Sequence, residues 1–334
     1  MRNFLLLRSL LTLLLASTGL IAFAQEIATS PLDNKQSILN GRAFATFPST
    51  ALNSARPTDI MSADHNANLE TRIMLDIQKM RLVFFAQELY ALGDKKSVTQ
   101  FVTEENQKSG AKITVLTDNG SLFSILSTPA AFDSTREAIL VNSLLVRTND
   151  NTVFRIAAYI NPAAYDKREE FVKLTARVFE TLTAGTRQNS RTAHTETLAL
   201  ANTKKKLKIV LPANYSVTSD QKYDFQVFLF HHYRNLGDEQ RENLTIYAGS
   251  HPSYFFRNFK FERDEALIRK GNFLGKPVNW LHFANSGKNL YIKEQQVPSD
   301  NIAAGLILHV GMLGGSEDIL DELTKIAAAI ELVN

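Results

Sequence analysis

The chain has no cysteine in its 334 residues. That excludes a disulfide scaffold, a zinc–thiolate or iron–sulfur centre, a cysteine nucleophile and a lipid-modified N-terminal cysteine. Glycine and proline are sparse, at 15 and 9, which excludes a collagen-like or low-complexity chain. Charge of one sign is also lacking: 37 basic residues face 34 acidic ones. A strongly electrostatic partner such as duplex nucleic acid is therefore not expected. Catalytic signatures are missing as well. There is no G-x-S-x-G elbow, no H-E-x-x-H pair and no P-loop lysine.

Only one long apolar run is present, Leu10 to Ala22, preceded by Arg2 and Arg8. It is short for a membrane span and is followed by Ala22-Phe23-Ala24. This pattern reads as an export signal over 1–24, with cleavage before Gln25. Losing Arg2 and Arg8 takes the net charge from +3 to +1. The expected product is a soluble protein of the periplasm or extracellular space, with no stable transmembrane insertion. Without disulfides, its folding must rest on core burial.

Residues 186–197 contain no large apolar side chain. Such a stretch buries too little to offset its ordering entropy and reads as a linker. The segments on either side share a pattern. Ala45-Thr-Phe-Pro48 parallels Ile209-Val-Leu-Pro212. Leu82-Val-Phe-Phe85, leading to Leu92-Gly-Asp94, parallels Val227-Phe-Leu-Phe230, leading to Leu236-Gly-Asp238. Strand–turn–strand patterns follow at 139–160 and 288–310. Each copy then closes on an amphipathic helix, carrying Phe171, Leu174, Val178, Phe179 and Leu182 in one case and Leu320, Leu323, Ile326, Ala327 and Ile330 in the other. The expected fold is α+β. Two tandem modules, 41–185 and 198–334, follow an N-terminal extension at 25–40, and each is an antiparallel sheet packed by its C-terminal helix. The first copy is expected to carry an extra segment, Leu52 to Asp76, with a short helix near Leu69–Ile77.

Leu207-Lys-Ile-Val-Leu-Pro212, Leu244-Thr-Ile-Tyr247 and the closing strand–glycine–helix from Leu306 to Val333 resemble the PsbP-like family of lumenal and periplasmic proteins. Tyr215 stands near the opening proline, where such proteins often carry tryptophan. The resemblance implies an α/β/α sandwich and a non-catalytic binding or accessory role, and it supplies no catalytic residues.

Three candidate sites arise from the residues themselves. Tyr254, Phe255, Phe256, Arg257, Phe259 and Lys260 interleave aromatics with bases, as a partner surface or a core-filling hairpin would. Gly314, Gly315 and Ser316 open the last helix, where free N–H groups attract anions and where Ser316 is an expected N-cap. His231, His282 and His309 lie on three strands and would be zinc or copper ligands if those strands brought them together; otherwise they are structural. The sequence thus favours an exported, non-catalytic protein that contacts an envelope protein or a small ligand without a cofactor. The alternative is a metal-binding protein that uses the histidines of the second module.

Overall fold

The computed structural model describes residues 26–49, 52–57, 70–222, 224–238 and 240–334, with only the backbone of 52–57 and of Lys222. The expected leader, 1–24, lies outside the described residues. Along the chain, alternating apolar and polar residues build β1 (Asn34–Ile38), β2 (Ala43–Phe47), β3 (Leu52–Pro57), β4 (Glu70–Ile77) and β5 (Met80–Leu92). Helix α1 (Lys95–Gln107) leads to β6 (Lys112–Asn119), β7 (Leu122–Thr128), β8 (Ile139–Thr148) and β9 (Thr152–Ile160). Helix α2 (Arg168–Glu180) and β10 (Thr183–Ala184) close the N-terminal half. The C-terminal half begins with β11 (His194–Ala199), β12 (Lys206–Leu211), β13 (Tyr215–Lys222), β14 (Phe225–His232), β15 (Arg234–Asn235) and β16 (Glu242–Gly249). It continues with β17 (Leu267–Phe273), β18 (Lys276–Asn285), β19 (Leu290–Pro298), β20 (Ile307–Gly314), α3 (Glu317–Ala328) and β21 (Glu331–Val333). The protein is α+β and mostly β, with three α-helices among the described residues. None of these is long and apolar enough to cross a membrane.

Two large sheets dominate. One runs β3-β4-β5-β9-β8-β7-β6 and the other β13-β14-β16-β20-β19-β18-β17, and the strands within each path pair antiparallel. Taken in chain order, the two paths have the same sequence of neighbours. Each half also has a small three-stranded sheet, β1-β2-β10 or β11-β12-β21, completed by the short strand after its last helix.

Period-two alternation sends neighbouring residues to opposite faces of a sheet. In β9, Phe154 and Ile156 join Phe171, Leu174, Val178 and Phe179 of α2, whereas Val153 packs with Val98 and Val102 of α1. Helices therefore cover both faces of the first large sheet. In the second half, Leu320, Leu323, Ile326 and Ala327 of α3 pack with Phe228, Ile246, Val310 and Met312. The opposite face holds Phe283, Leu290 and Ile292 beneath Phe256.

Several expectations need correction. The segment 70–77 is strand β4, because Ile73, Leu75 and Ile77 alternate as buried residues with half-buried Arg72, Met74 and Asp76; it is not a helix. The region from Leu52 to Asp76 holds β3 and most of β4 and occupies the same places in the strand order as β13 and β14, so it is not an insertion. The two Leu-Gly-Asp triplets are not equivalent. Leu92 ends β5, the third strand of its path, whereas Leu236 follows β15, which pairs with β5 itself. Residues 26–40 are no mere extension, since Ile27, Ile38 and Leu39 are fully buried in the first core.

Candidate functional site

The two halves meet at the end of β5. Among the described residues the β4–β5 ladder reaches Glu70↔Gln87, and β5 runs on beyond it. β15 adds to this stretch in parallel, Arg234↔Ala91 and Asn235↔Leu92, and Leu236 N donates to Leu92 O at 2.7 Å. On its other side β5 shifts register against β9 between Glu88 and Ala91, and within this bulge Tyr90 has φ +49°. Left-handed backbone is unfavourable for a bulky residue. Here the Tyr90 ring stacks on His231 of the other half, with centroids 3.7 Å apart and parallel planes, and meets Tyr233 edge-on at 5.4 Å.

Of the expected linker, 186–197, residues 186–193 form a strap, and 194–197 are not linker but part of strand β11, which pairs with β12. Polar contacts hold the strap to the first half. Arg187 N donates to Gly41 O at 3.1 Å, Asn189 N to Asp150 Oδ2 at 3.0 Å, and Arg191 Nη1 to Asp150 O at 2.8 Å. Beneath the strap lies the buried guanidinium of Arg42. It reaches Glu88 Oε2 at 3.0 Å, Thr148 Oγ1 at 3.0 Å and Asp150 Oδ2 at 3.1 Å, and it also donates to Thr152. Burial pushes the Glu88 carboxyl up against the pull of Arg42 and the Asn189 amide.

Beside this junction is a cleft of about 380 Å³ walled by both halves. One wall carries Arg155 paired to Glu105 at 2.6 Å. The other carries Glu242, which accepts from Arg234 Nε at 2.9 Å and contacts His232 Nδ1 at 3.1 Å. Tyr215 donates to the same carboxylate and stacks on His232. Burial acts to raise the Glu242 carboxyl, but the hydrogen bonds from His232, Tyr215 and Arg234 outweigh it and hold the group below its ordinary value. Tyr90, His231 and Phe101 supply aromatic surface between the walls.

Burial lowers the His231 imidazole from 6.5 to about 3. The folded protein therefore keeps this ring neutral at pH values where the unfolded chain protonates it. The resulting stability is complete above pH 6.5 and is lost as pH falls from there towards 3. His231→Phe keeps a ring against Tyr90 and removes the titration. Urea midpoints at pH 7 and pH 5 should show a larger loss for the wild type than for this variant; equal losses would contradict the assignment.

Of the residues singled out from sequence, His231 lies in this cleft and the others fall elsewhere. Phe256 is 1 % exposed and packs on Phe283, Leu290 and Ile292. Tyr254, Phe255, Phe259 and Phe261 surround it half-buried, and the Phe255 and Phe256 N–H groups donate to Glu294 Oε2 at 2.7 and 3.2 Å. Only Arg257 and Lys260 of this set are exposed, so the aromatics form a cap on the second sheet. His309 and the cap share one face, with His309 Nε2 3.3 Å from Glu294 Oε2. His282 points to the α3 face, 3.1 Å from Glu317 Oε1, where burial lowers its pKa against the pull of Glu317. His231 is held by Thr218 Oγ1 at 2.9 Å. The three histidines are therefore not brought together, and no group of three or more His, Asp or Glu able to hold a metal occurs among the described residues.

Gly314 leads out of β20, and Gly315 N donates to Arg241 O at 2.8 Å. Ser316 caps α3 by accepting from Ile319 N at 3.3 Å. Glu317 and Asp318 fill the first turn and oppose an added anion there. Ser316→Ala is expected to cost about 1 kcal/mol, read as a lower urea midpoint.

The sequence reading did not single out Arg42, Glu88, Tyr90 or Glu242. The available signal was Glu88 at an inward position of the otherwise apolar strand β5; Arg42 lies in the turn before β2 and carries no such pattern. No family model, curated protein or solved structure matches the chain.

Proposed function

We propose that the chain is an exported, non-catalytic binding or accessory protein of the cell envelope, and that the cleft between its halves receives the ligand. The observation that carries this reading is the cleft itself. Both halves build it, and the main charged groups on its walls are tied in structural pairs, Glu105 with Arg155 and Glu242 with Arg234 and His232. Groups engaged in this way serve recognition and shape better than proton transfer. The common strand order of the two large sheets supports reading 41–185 and 198–334 as tandem copies of one module. The helices on both faces of the first sheet support the likeness to PsbP-like α/β/α sandwiches. The Arg-flanked apolar run ending in Ala22-Phe23-Ala24 supports export to the periplasm or beyond.

The test is to express the full chain in a bacterium, fractionate the cells and examine the product by native mass spectrometry. The expected product begins at Gln25, lies in the soluble periplasmic fraction and carries a bound component. Asn235→Trp places a large ring at the exposed cleft mouth and should abolish that component without changing the melting temperature. A membrane-bound product retaining residues 1–24 would contradict the export reading, and an unaltered bound component in Asn235→Trp would contradict the site.

A further inference from the structure

The second large sheet is split. β17 and β18 pair along their whole length, from Leu267↔His282 to Phe273↔Lys276. β19 and β20 likewise pair from Tyr291↔Gly314 to Pro298↔Ile307. The ladder between β18 and β19, however, covers only Leu281↔Glu294 to Asn285↔Leu290. Beyond it, residues 276–280 of β18 and 295–298 of β19 are laddered on their outer sides alone. Between these two inner edges is a groove of about 480 Å³, whose lining includes Lys270, Val278, Asn279, Gln295, Gln296 and Val297. In the N-terminal half the corresponding strands, β7 and β8, stay paired from Leu122 to Ser127.

Strand edges that lack a neighbour template the pairing of another strand. This groove offers two such edges facing each other. One residue of a strand within a sheet fills about 160 Å³, from a rise of ~3.3 Å, a strand spacing of ~4.8 Å and a sheet spacing of ~10 Å. The groove therefore matches about three inserted residues. The Gln296 side-chain nitrogen is buried and has no hydrogen-bond partner among the described residues, an arrangement that favours an added acceptor. Lys270 lines the groove, Lys276 follows at the end of the β17–β18 ladder, and no acidic residue is in the lining.

We propose that this slot receives an extended, acidic segment of a partner polypeptide, which adds as a strand between β18 and β19 and closes the sheet. The site is separate from the cleft between the halves, and the proposal does not depend on that cleft.

The experiment uses the full chain and two synthetic peptides, acetyl-Val-Asp-Val-Asp-Val-amide and its lysine counterpart acetyl-Val-Lys-Val-Lys-Val-amide. Hydrogen exchange is measured by NMR, and affinity by titration. The aspartate peptide should slow exchange at least tenfold at amides on both lips, within 278–280 and 295–297, and should bind more tightly than the lysine peptide. Lys270→Glu alters an exposed side chain; it should weaken the aspartate peptide by about tenfold and leave the melting temperature unchanged. No binding at millimolar peptide would overturn the proposal, as would protection of one lip only or equal affinity in Lys270→Glu. Protection of both lips that rises with protein concentration in the absence of peptide would assign the slot to a second copy of the chain and would also overturn it.

Discussion

Arg42→Met is expected to destabilise the N-terminal half by about 3–5 kcal/mol, the loss typical of removing one partner from a buried ion pair. Arg42 is 1 % exposed, and from the turn before β2 its guanidinium reaches Glu88 of β5, Thr148 and Thr152 at the facing ends of β8 and β9, and Asp150 in the turn between them. Methionine fills much of the volume but supplies none of the donors, and it leaves the Glu88 carboxylate without its counter-ion in a medium that solvates it poorly. Glu88 would answer by protonating, so the variant should recover part of its stability as pH is lowered from 7 to 5. Arg42→Met combined with Glu88→Leu should regain more than half of the loss, because the desolvated charge is then gone as well. Urea denaturation followed by far-ultraviolet circular dichroism gives each value. A single-variant loss below 1 kcal/mol would show that the network is not needed to hold the half together.

Phe256→Ala is the second large effect, with an expected cost of about 3–5 kcal/mol to the C-terminal half. The ring lies 4.8 Å from Phe283 and 5.3 Å from Tyr254 between centroids, over Leu290 and Ile292. Truncation opens a cavity between the cap and the sheet, beneath the half-buried rings of Tyr254, Phe255, Phe259 and Phe261. Arg257→Ala, on the same turn but exposed, should leave the urea midpoint unchanged. The pair separates two readings of the Tyr254–Phe259 segment. If Phe256→Ala folds with wild-type stability, the rings are a surface rather than a cap.

Much of the architecture could be read in the residues. The stripes of α2 and α3 and the β8–β9 hairpin with its turn at 148–151 follow from local periodicity and turn chemistry, which residues close in sequence largely decide. Asn151 at that turn does adopt φ +63°. What was not legible depends on distant partners. Short apolar strings such as Leu82–Phe85 and Val227–Phe230 look alike, yet they occupy the third and second places of their sheets. Which strand neighbours which is set by packing that no single string encodes. Period-two counting places His282 and His309 on a face of their own strands. It could not say that these faces lie on opposite sides of one sheet, since that depends on the register between β18, β19 and β20. A groove between two modules is a natural place for partner contacts, but its lining was hidden, because β15 is only two residues long and Tyr90 leaves the strand pattern through a bulge.

Each half buries its own apolar cluster, and the proposal that the junction at β5 and β15 joins two separately stabilised units can be tested directly. The chain has a single tryptophan, Trp280, which is buried in the second core beside Phe273. Its fluorescence therefore reports the C-terminal half alone, whereas circular dichroism reports both. In Arg42→Met, urea should remove part of the dichroism signal at a lower midpoint than in the wild type, while the Trp280 transition stays at its wild-type midpoint. A Trp280 transition that shifts by the same amount as the dichroism would mean that one cooperative core spans the chain, and would contradict the account.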